Sequence, residues 1–283
     1  MQRLRRQFAA RRASLLALVL LSIFVAAAAL GDRIAPYPAN QQDLAARLAA
    51  PGNPPAGRGP MHYLGTDYLG RDVLSRIISG ARVSLLVAFA SVSLAGVLGL
   101  VAGMVGGYYG GFLDDVLSMI ANIQLGFPFM LLAITLAAFM HPSLGTIIVV
   151  LVVTTWVIYA RVVRASTLSA KSQDYIEAAR AMGASDARML FRHILPNISA
   201  PFLVIATLEA ARVVILESAL SFLGMGVPPS TPSWGGMLAD GRRYMFTAWW
   251  LSTFPGLAIM GLVLSLNVLG DFLRDYVDPR LRT

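Results

Sequence analysis

Few residues in this sequence are of types that do chemistry, and their spacing rules out more reactions than it allows. Lys171 is the single lysine in a chain with 23 Lys and Arg. Ala170 precedes it, so there is no GxxxxGK[ST] phosphate-binding loop, and any nucleotide hydrolysis belongs to a partner. The three histidines, His62, His141 and His193, are widely separated, which argues against a metal or general-base cluster. Cysteine is absent, which removes disulfides, thiolate-bound zinc and thiol nucleophiles. The sequence therefore predicts no catalytic residue, no metal ligand and no cofactor on this chain. Two polar groups remain. Glu209, Arg212 and Glu217 stand inside an apolar segment, where ionisable side chains are costly and usually functional. The run from Asp174 to Pro196, DYIEAARAMGASDARMLFRHILP, is the longest charge-rich stretch in the second half of the chain.

The elements that must position these groups are those of a membrane protein. Hydrophobic residues make up 57% of the 283 and charged residues only 13%, about half the charge of an ordinary soluble domain, which is roughly 25%. The formal charge of +8 fits basic loops on one side of a bilayer better than nucleic-acid binding. Arg3, Arg5, Arg6, Arg11 and Arg12 precede an apolar run over Ser14–Leu30. A cleavable signal peptide has the same layout. A retained span is preferred, because many spans follow and need no separate export signal. Residues 31–82 form the one long loop, and Leu69–Val83 within it is spaced as an interfacial helix leading into the next span. Apolar segments follow at Val83–Val105, Val116–Phe139, Thr146–Ala160, Pro201–Leu223 and Ser252–Phe272. Ala95, Gly99 and Gly103 recur every fourth residue, a spacing that lets helices approach closely.

The expected fold is an all-α polytopic membrane protein with six transmembrane helices. It divides into a basic amino terminus and first span (1–30), an external loop (31–82) and a five-helix core (83–283). With the amino terminus inside, the inner segments hold fourteen Lys and Arg and the outer segments eight. Six of those eight fall in the long loop, which counts least. Both termini and the 161–200 loop are then cytoplasmic. Asp114 and Asp115 read as solvated span ends, and Trp234, Trp249 and Trp250 as an aromatic belt on the outer side.

The polar run has the shape of a helical hairpin. Asp174 is placed to N-cap a first helix, with Glu177 three residues on to close a capping box. Ala178, Ala179 and Ala181 offer a slim face against which another backbone can pack. Gly183 suits the left-handed position after a helix end. Ser185 is placed to cap a second helix, whose Met189, Leu190, Ile194 and Leu195 oppose Arg188 and Arg192 and which Pro196 stops. A DNA-reading helix-turn-helix shares this outline, but spans flank the hairpin on both sides and its basic residues are few. A plain interspan loop explains the polarity but not two capped helices in succession. Docking to a soluble partner explains both. In the membrane, Glu209 and Arg212 are i,i+3 neighbours able to pair, and Glu217 is a candidate path or gate residue.

EAARAMGASDARMLFRHILP closely resembles the EAA loop of the permeases of binding-protein-dependent ABC importers. LGTDYLGRDVLSRIISGARVSL (64–85), LESALSFLGMGVPPSTPSWGGML (216–238) and LGDFLRDYVDPRL (269–281) are similar to segments of the dipeptide/oligopeptide/nickel class, second permease type. The resemblance covers essentially everything from about residue 60. One departure is His193, where the general loop more often has an aliphatic residue. The resemblance implies a type I importer permease fold with a cytoplasmic EAA coupling loop at 165–200, in a multi-pass protein of the bacterial inner membrane. It also implies a second homologous permease, two cytoplasmic ATPases that bind the ATP and magnesium, an external substrate-binding protein and no nucleic acid. Asp174, Glu177, Ala178, Ala179, Ala181, Gly183, Ile194, Leu195 and Pro196 would then couple to the ATPase, with Glu217, Glu209 and Arg212 as candidate gate or path residues. Dipeptides or oligopeptides are the expected cargo, with nickel or glutathione as alternatives and a membrane-anchored DNA-binding regulator as a distant one.

Overall fold

The computed structural model describes residues 2–52 and 61–277. Its helices are α1 (Gln2–Ile34), α2 (Val73–Tyr109), α3 (Gly111–Leu125), α4 (Phe129–Ala138), α5 (Leu144–Lys171) and α6 (Asp174–Ala181), followed by a rod α7 (Asp186–Phe222), then α8 (Trp234–Gly241) and α9 (Trp250–Val277). No strand occurs among the described residues; Thr66 and Asp72 form an isolated bridge. Helices α1, α2, α5, α7 and α9 are long and apolar enough to cross a membrane, and α3 with α4 makes a sixth, bent by 91°. All six expected segments are therefore helical, but the third is not straight. Pro128 lacks an amide proton and constrains Phe127 before it. Helix α3 ends at Gly126 and α4 starts after Pro128.

The expected interfacial helix and the span from Val83 are one continuous helix, α2, of 37 residues. At 1.5 Å per residue it is about 55 Å long, well beyond a hydrocarbon core of roughly 30 Å. Its start is fixed by Asp72, whose carboxylate accepts the Ser75 amide at 2.8 Å and the Ser75 hydroxyl at 2.7 Å. The small-residue stripe of α2 lies directly on α5. A Cβ at Gly103 would come within 2.5 Å of the Ala160 carbonyl oxygen and 2.8 Å of Val163 Cβ, so the two backbones nearly touch.

The end of the bundle that carries residues 35–52 and 61–72 is closed by buried polar side chains. Asp67, Arg71, Asp72 and Arg76, expected as loop charges, are all 5% exposed or less. Asp67 accepts the amides of Leu69 and Arg71 and the Arg71 Nε at 2.6 Å, and Arg76 Nε lies 3.8 Å from it. Arg71 reaches Asp240 on α8 at 3.5 Å. Burial raises the Asp240 carboxyl above the usual carboxylate range, while Arg76 and Arg71 pull it back. His62 Nδ1 sits 2.9 Å from Asp72. Gly70, at φ +74°, has no room for a side chain because the Asp43 backbone fills that position.

Two of the three tryptophans expected in an aromatic belt are internal instead. Trp234 is fully buried, donates to the Ile77 carbonyl at 2.9 Å and meets Phe24 edge-on. Trp250 donates to the Thr66 carbonyl at 3.1 Å. Only Trp249 of the three is exposed. Each indole N–H finds a carbonyl acceptor, and the ring fills the gap between helices.

Candidate functional site

At the other end of the bundle the polar run folds as a hairpin, with three departures from expectation. Helix α6 is N-capped by Gln173 rather than Asp174, and no side-chain cap bond forms. Helix α5 ends only two residues earlier, at Lys171, so the extended residue falls at Gln173. Asp174 and Glu177 occupy the first turn, where their charge still complements the helix dipole. Ser185 precedes the second element as expected but makes no side-chain cap bond. Pro196 does not stop that element. Asp186–Arg188 passes through a π-helical turn, Met189–Ile194, into the α-helix Leu195–Phe222. The Leu195 amide bonds five residues back to Leu190, so Pro196 falls where the hydrogen-bond register is already changing and its missing donor interrupts little.

The turn between the two arms follows the expectation. Gly183 has φ +83°, with open space around it. Its amide donates to the Arg180 carbonyl at 2.9 Å and the Ala184 amide to the Ala179 carbonyl at 3.1 Å, the paired bonds of a Schellman cap. A side chain there would be refused by backbone conformation rather than by crowding.

The apolar residues of the hairpin point inward. Ile176, Ala179, Met189, Leu190 and Ile194 are buried with Met104, Tyr108, Val163 and Ile198, forming a small core of their own. Ala178, Ala179 and Ala181 therefore do not share one face: Ala179 is in this core, while Ala178 and Ala181 are exposed. Leu195 is half-buried and Pro196 exposed. What the hairpin presents outward is Asp174, Tyr175, Glu177, Ala178, Ala181, Met182 and Phe191, with Met182 82% and Phe191 65% exposed. Apolar side chains so exposed on a polar hairpin mark a surface that something covers.

Tyr108, at the end of α2, ties this hairpin to the spans. Only 3% exposed, it donates from its hydroxyl to Asp186 Oδ1 at 2.6 Å, and its carbonyl accepts from Lys171 Nζ at 2.6 Å. Lys171 and Arg180 lie over its ring at 5.7 and 5.9 Å. One residue thus joins α2 to the end of α5, to α6 and to the start of α7. The sequence showed it only as part of GGYYGGFLDD, because its partners are 63 to 78 residues away.

Residues 95–283 match the family described as the inner membrane component of binding-protein-dependent transport systems. The chain belongs to this family. Residues 1–51 match the N-terminal transmembrane domain of oligopeptide transport permease C. The dipeptide transport system permease protein DppC of Escherichia coli is 41% identical over 278 residues, covering 97% of this chain and 91% of that protein. The di/tripeptide transport system permease protein DppC of Pseudomonas aeruginosa is 36% identical over 275 residues, 97% of this chain and 90% of the relative. In fold, the chain is similar to the inward-facing MetNI methionine ABC transporter, with a TM-score of 0.59 at 22% identity over 72% of this chain and 96% of that one.

In this inner-membrane component the three intramembrane ionisable residues are separated. Glu209 and Arg212 pair at 3.4 Å, with Glu209 6% exposed and Arg212 exposed over the Phe129 ring. Glu217 lies inside the chain at 1% exposure and accepts hydrogen bonds from Ser221 at 2.8 Å and Ser218 at 3.4 Å. Both of these partners are on its own helix. Asp114, expected as a solvated span end, is instead held by Arg164 through two bonds of 2.5 Å. The DNA-reading alternative fails on geometry as well as family, since the second arm is the start of a 37-residue span.

Proposed function

We propose that this chain is one permease subunit of an ABC importer for dipeptides or oligopeptides and that its hairpin receives a cytoplasmic ATPase subunit. The observation that carries the reading is the outward face of α6 and the Gly183 turn, mounted on the small core around Tyr108. A partner seated on Tyr175, Met182 and Phe191 would cover exposed apolar surface. It would also gain a rigid grip, since α6 cannot move without the ends of α2, α5 and α7. Nucleotide-driven closure of the ATPases, which bind the ATP and magnesium, would then move the hairpin as a body and reorient the spans. A second, homologous permease completes the path, two ATPases each take one hairpin, and an external binding protein delivers cargo. The excess of Lys and Arg on the hairpin side of the spans supports cytoplasmic termini and an outer position for residues 35–72. Peptide cargo is supported by the full-length similarity to dipeptide permeases.

Gly183→Val tests the docking role. It forces a β-branched residue to φ +83° and re-aims the hairpin. In complexes reconstituted with the partner subunits, ATP hydrolysis is expected to persist while peptide import falls by about tenfold or more, a loss of about 1.4 kcal/mol in coupling. Import at the unmodified rate removes the assignment.

A further inference from the structure

Helix α3 has two unlike sides. Asp114, Ser118 and Asn122, four residues apart, share one face, while Phe112, Met119 and Ile123 are exposed on the other. The polar face meets Trp156, Arg161 and Arg164 of α5 around a cavity of about 260 Å³. A line of hydrogen bonds runs along this seam. Gln124 donates to the Thr154 carbonyl at 3.0 Å and accepts from Trp156 Nε1 at 2.9 Å. Arg161 donates to Asn122 Oδ1 at 2.9 Å, and Arg164 takes both oxygens of Asp114. The two arginines differ in how they are satisfied. Arg164 is fully paired with a carboxylate, whereas Arg161, exposed at the mouth of the seam, meets only a neutral amide among the described residues.

We propose that the α3–α5 seam is a water-lined wall of the translocation path, and that Arg161 with Asn122 takes the terminal carboxylate of the transported peptide. An exposed row of Asn122, Arg161 and half-exposed Ser118 is too costly to present to lipid chains. Seventeen residues of α5, roughly 26 Å of helix, precede Arg161, which places it toward the hairpin end of the path. A guanidinium fork with unused donors fits a planar carboxylate bidentately. That group is the anion every linear peptide carries, whatever its side chains, so a single arginine gives a grip independent of sequence. The assignment of ligand rests on the peptide-permease reading above; the water-lined seam does not.

The natural lack of cysteine makes the test direct. Single cysteines Ser118→Cys and Met119→Cys are introduced into the whole complex, reconstituted with its partner subunits in vesicles, and exposed to a membrane-impermeant methanethiosulfonate applied from the hairpin side. Position 118 is expected to react about tenfold faster than position 119. Trialanine should slow labelling at 118 and trialanine amide should not. Adding Arg161→Gln should abolish that protection, while Arg161→Lys should keep part of it. Equal reactivity at 118 and 119 overturns the water-lined seam. Equal protection by acid and amide, or protection that survives Arg161→Gln, overturns the carboxylate site. Protection without peptide in phosphatidylglycerol vesicles, absent in phosphatidylcholine alone, would assign Arg161 to a lipid headgroup and overturn it as well. If the unmodified complex does not import trialanine, the peptide reading fails, and the contrast between 118 and 119 still decides the seam.

Discussion

At the loop end of the bundle Asp67, Arg71, Asp72 and Arg76 are buried together, and tryptophan indoles from α8 and α9 lock onto the backbone of the loop and of α2. At the hairpin end the charges of α6 stay exposed, and the element is held by a small apolar core and one tyrosine. The first arrangement has many directional bonds with narrow tolerances and is costly to disturb anywhere. The second is a socket: apolar packing tolerates small tilts, while Tyr108 keeps α6 in step with α2 and α7. One end holds its shape, and the other, in the docking role proposed for it, would move as a unit.

The comparison breaks most sharply at Arg71. Arg71→Ala takes from the buried Asp67 its 2.6 Å partner and leaves it only Arg76 at 3.8 Å, and removing one partner of a buried ion pair costs about 3–5 kcal/mol. Loss of membrane-integrated, monodisperse protein is expected on detergent gel filtration, well before any effect on coupling can be read. Next in size is Gly103→Val on the α2–α5 contact, where overpacking costs about 1–3 kcal/mol and a lowered thermal midpoint in detergent is expected. Tyr108→Phe keeps the ring but removes the hydroxyl bond to Asp186, a contribution of about 0.5–1.5 kcal/mol because that carboxylate is exposed to water. Its midpoint should fall less than that of Gly103→Val, but peptide imported per ATP hydrolysed should drop. An unchanged ratio would mean the socket alone carries the motion. Glu217→Gln should be the mildest, because the amide keeps an acceptor for Ser221. Import within about twofold of the unmodified complex is expected, a difference of under 1 kcal/mol, and a larger loss would favour Glu217 as a gate residue.

The helical fold was legible in advance because runs of apolar residues long enough to span leave little choice of structure. Boundaries were less so. Val73–Arg82 belongs to α2, yet Ser75, Arg76 and Arg82 dilute its hydropathy, and the burial of Ser75 and Arg76 rests on Asp72 and Asp67 of the preceding loop. The bend at Pro128 was visible as a residue, but not as 91°. At the hairpin, Gly183 could be read from local backbone chemistry alone. The direction in which Ala178, Ala179 and Ala181 face could not, because it depends on where the ends of α2 and α5 stand. Tyr108 was missed for the same reason: its role exists only once Asp186 and Lys171 are brought beside it.

The π-helical turn at Met189–Ile194 carries slack. A π turn amounts to one residue more than an α-helix needs over the same stretch, so the surplus is absorbed locally and the span beyond keeps its facing. Excising a single residue there, such as the outward-facing Phe191, would restore a plain α-helix and leave the downstream span in phase with the socket. Excising a residue from the plain α-helix further along, such as Leu203, would instead swing everything after it by about 100°. Glu209 and Glu217 would then turn out of the interior while the hairpin stayed seated. The turn works as a slack link between the hairpin and the span, and it predicts that this short stretch tolerates the loss of one residue better than the helix that follows it.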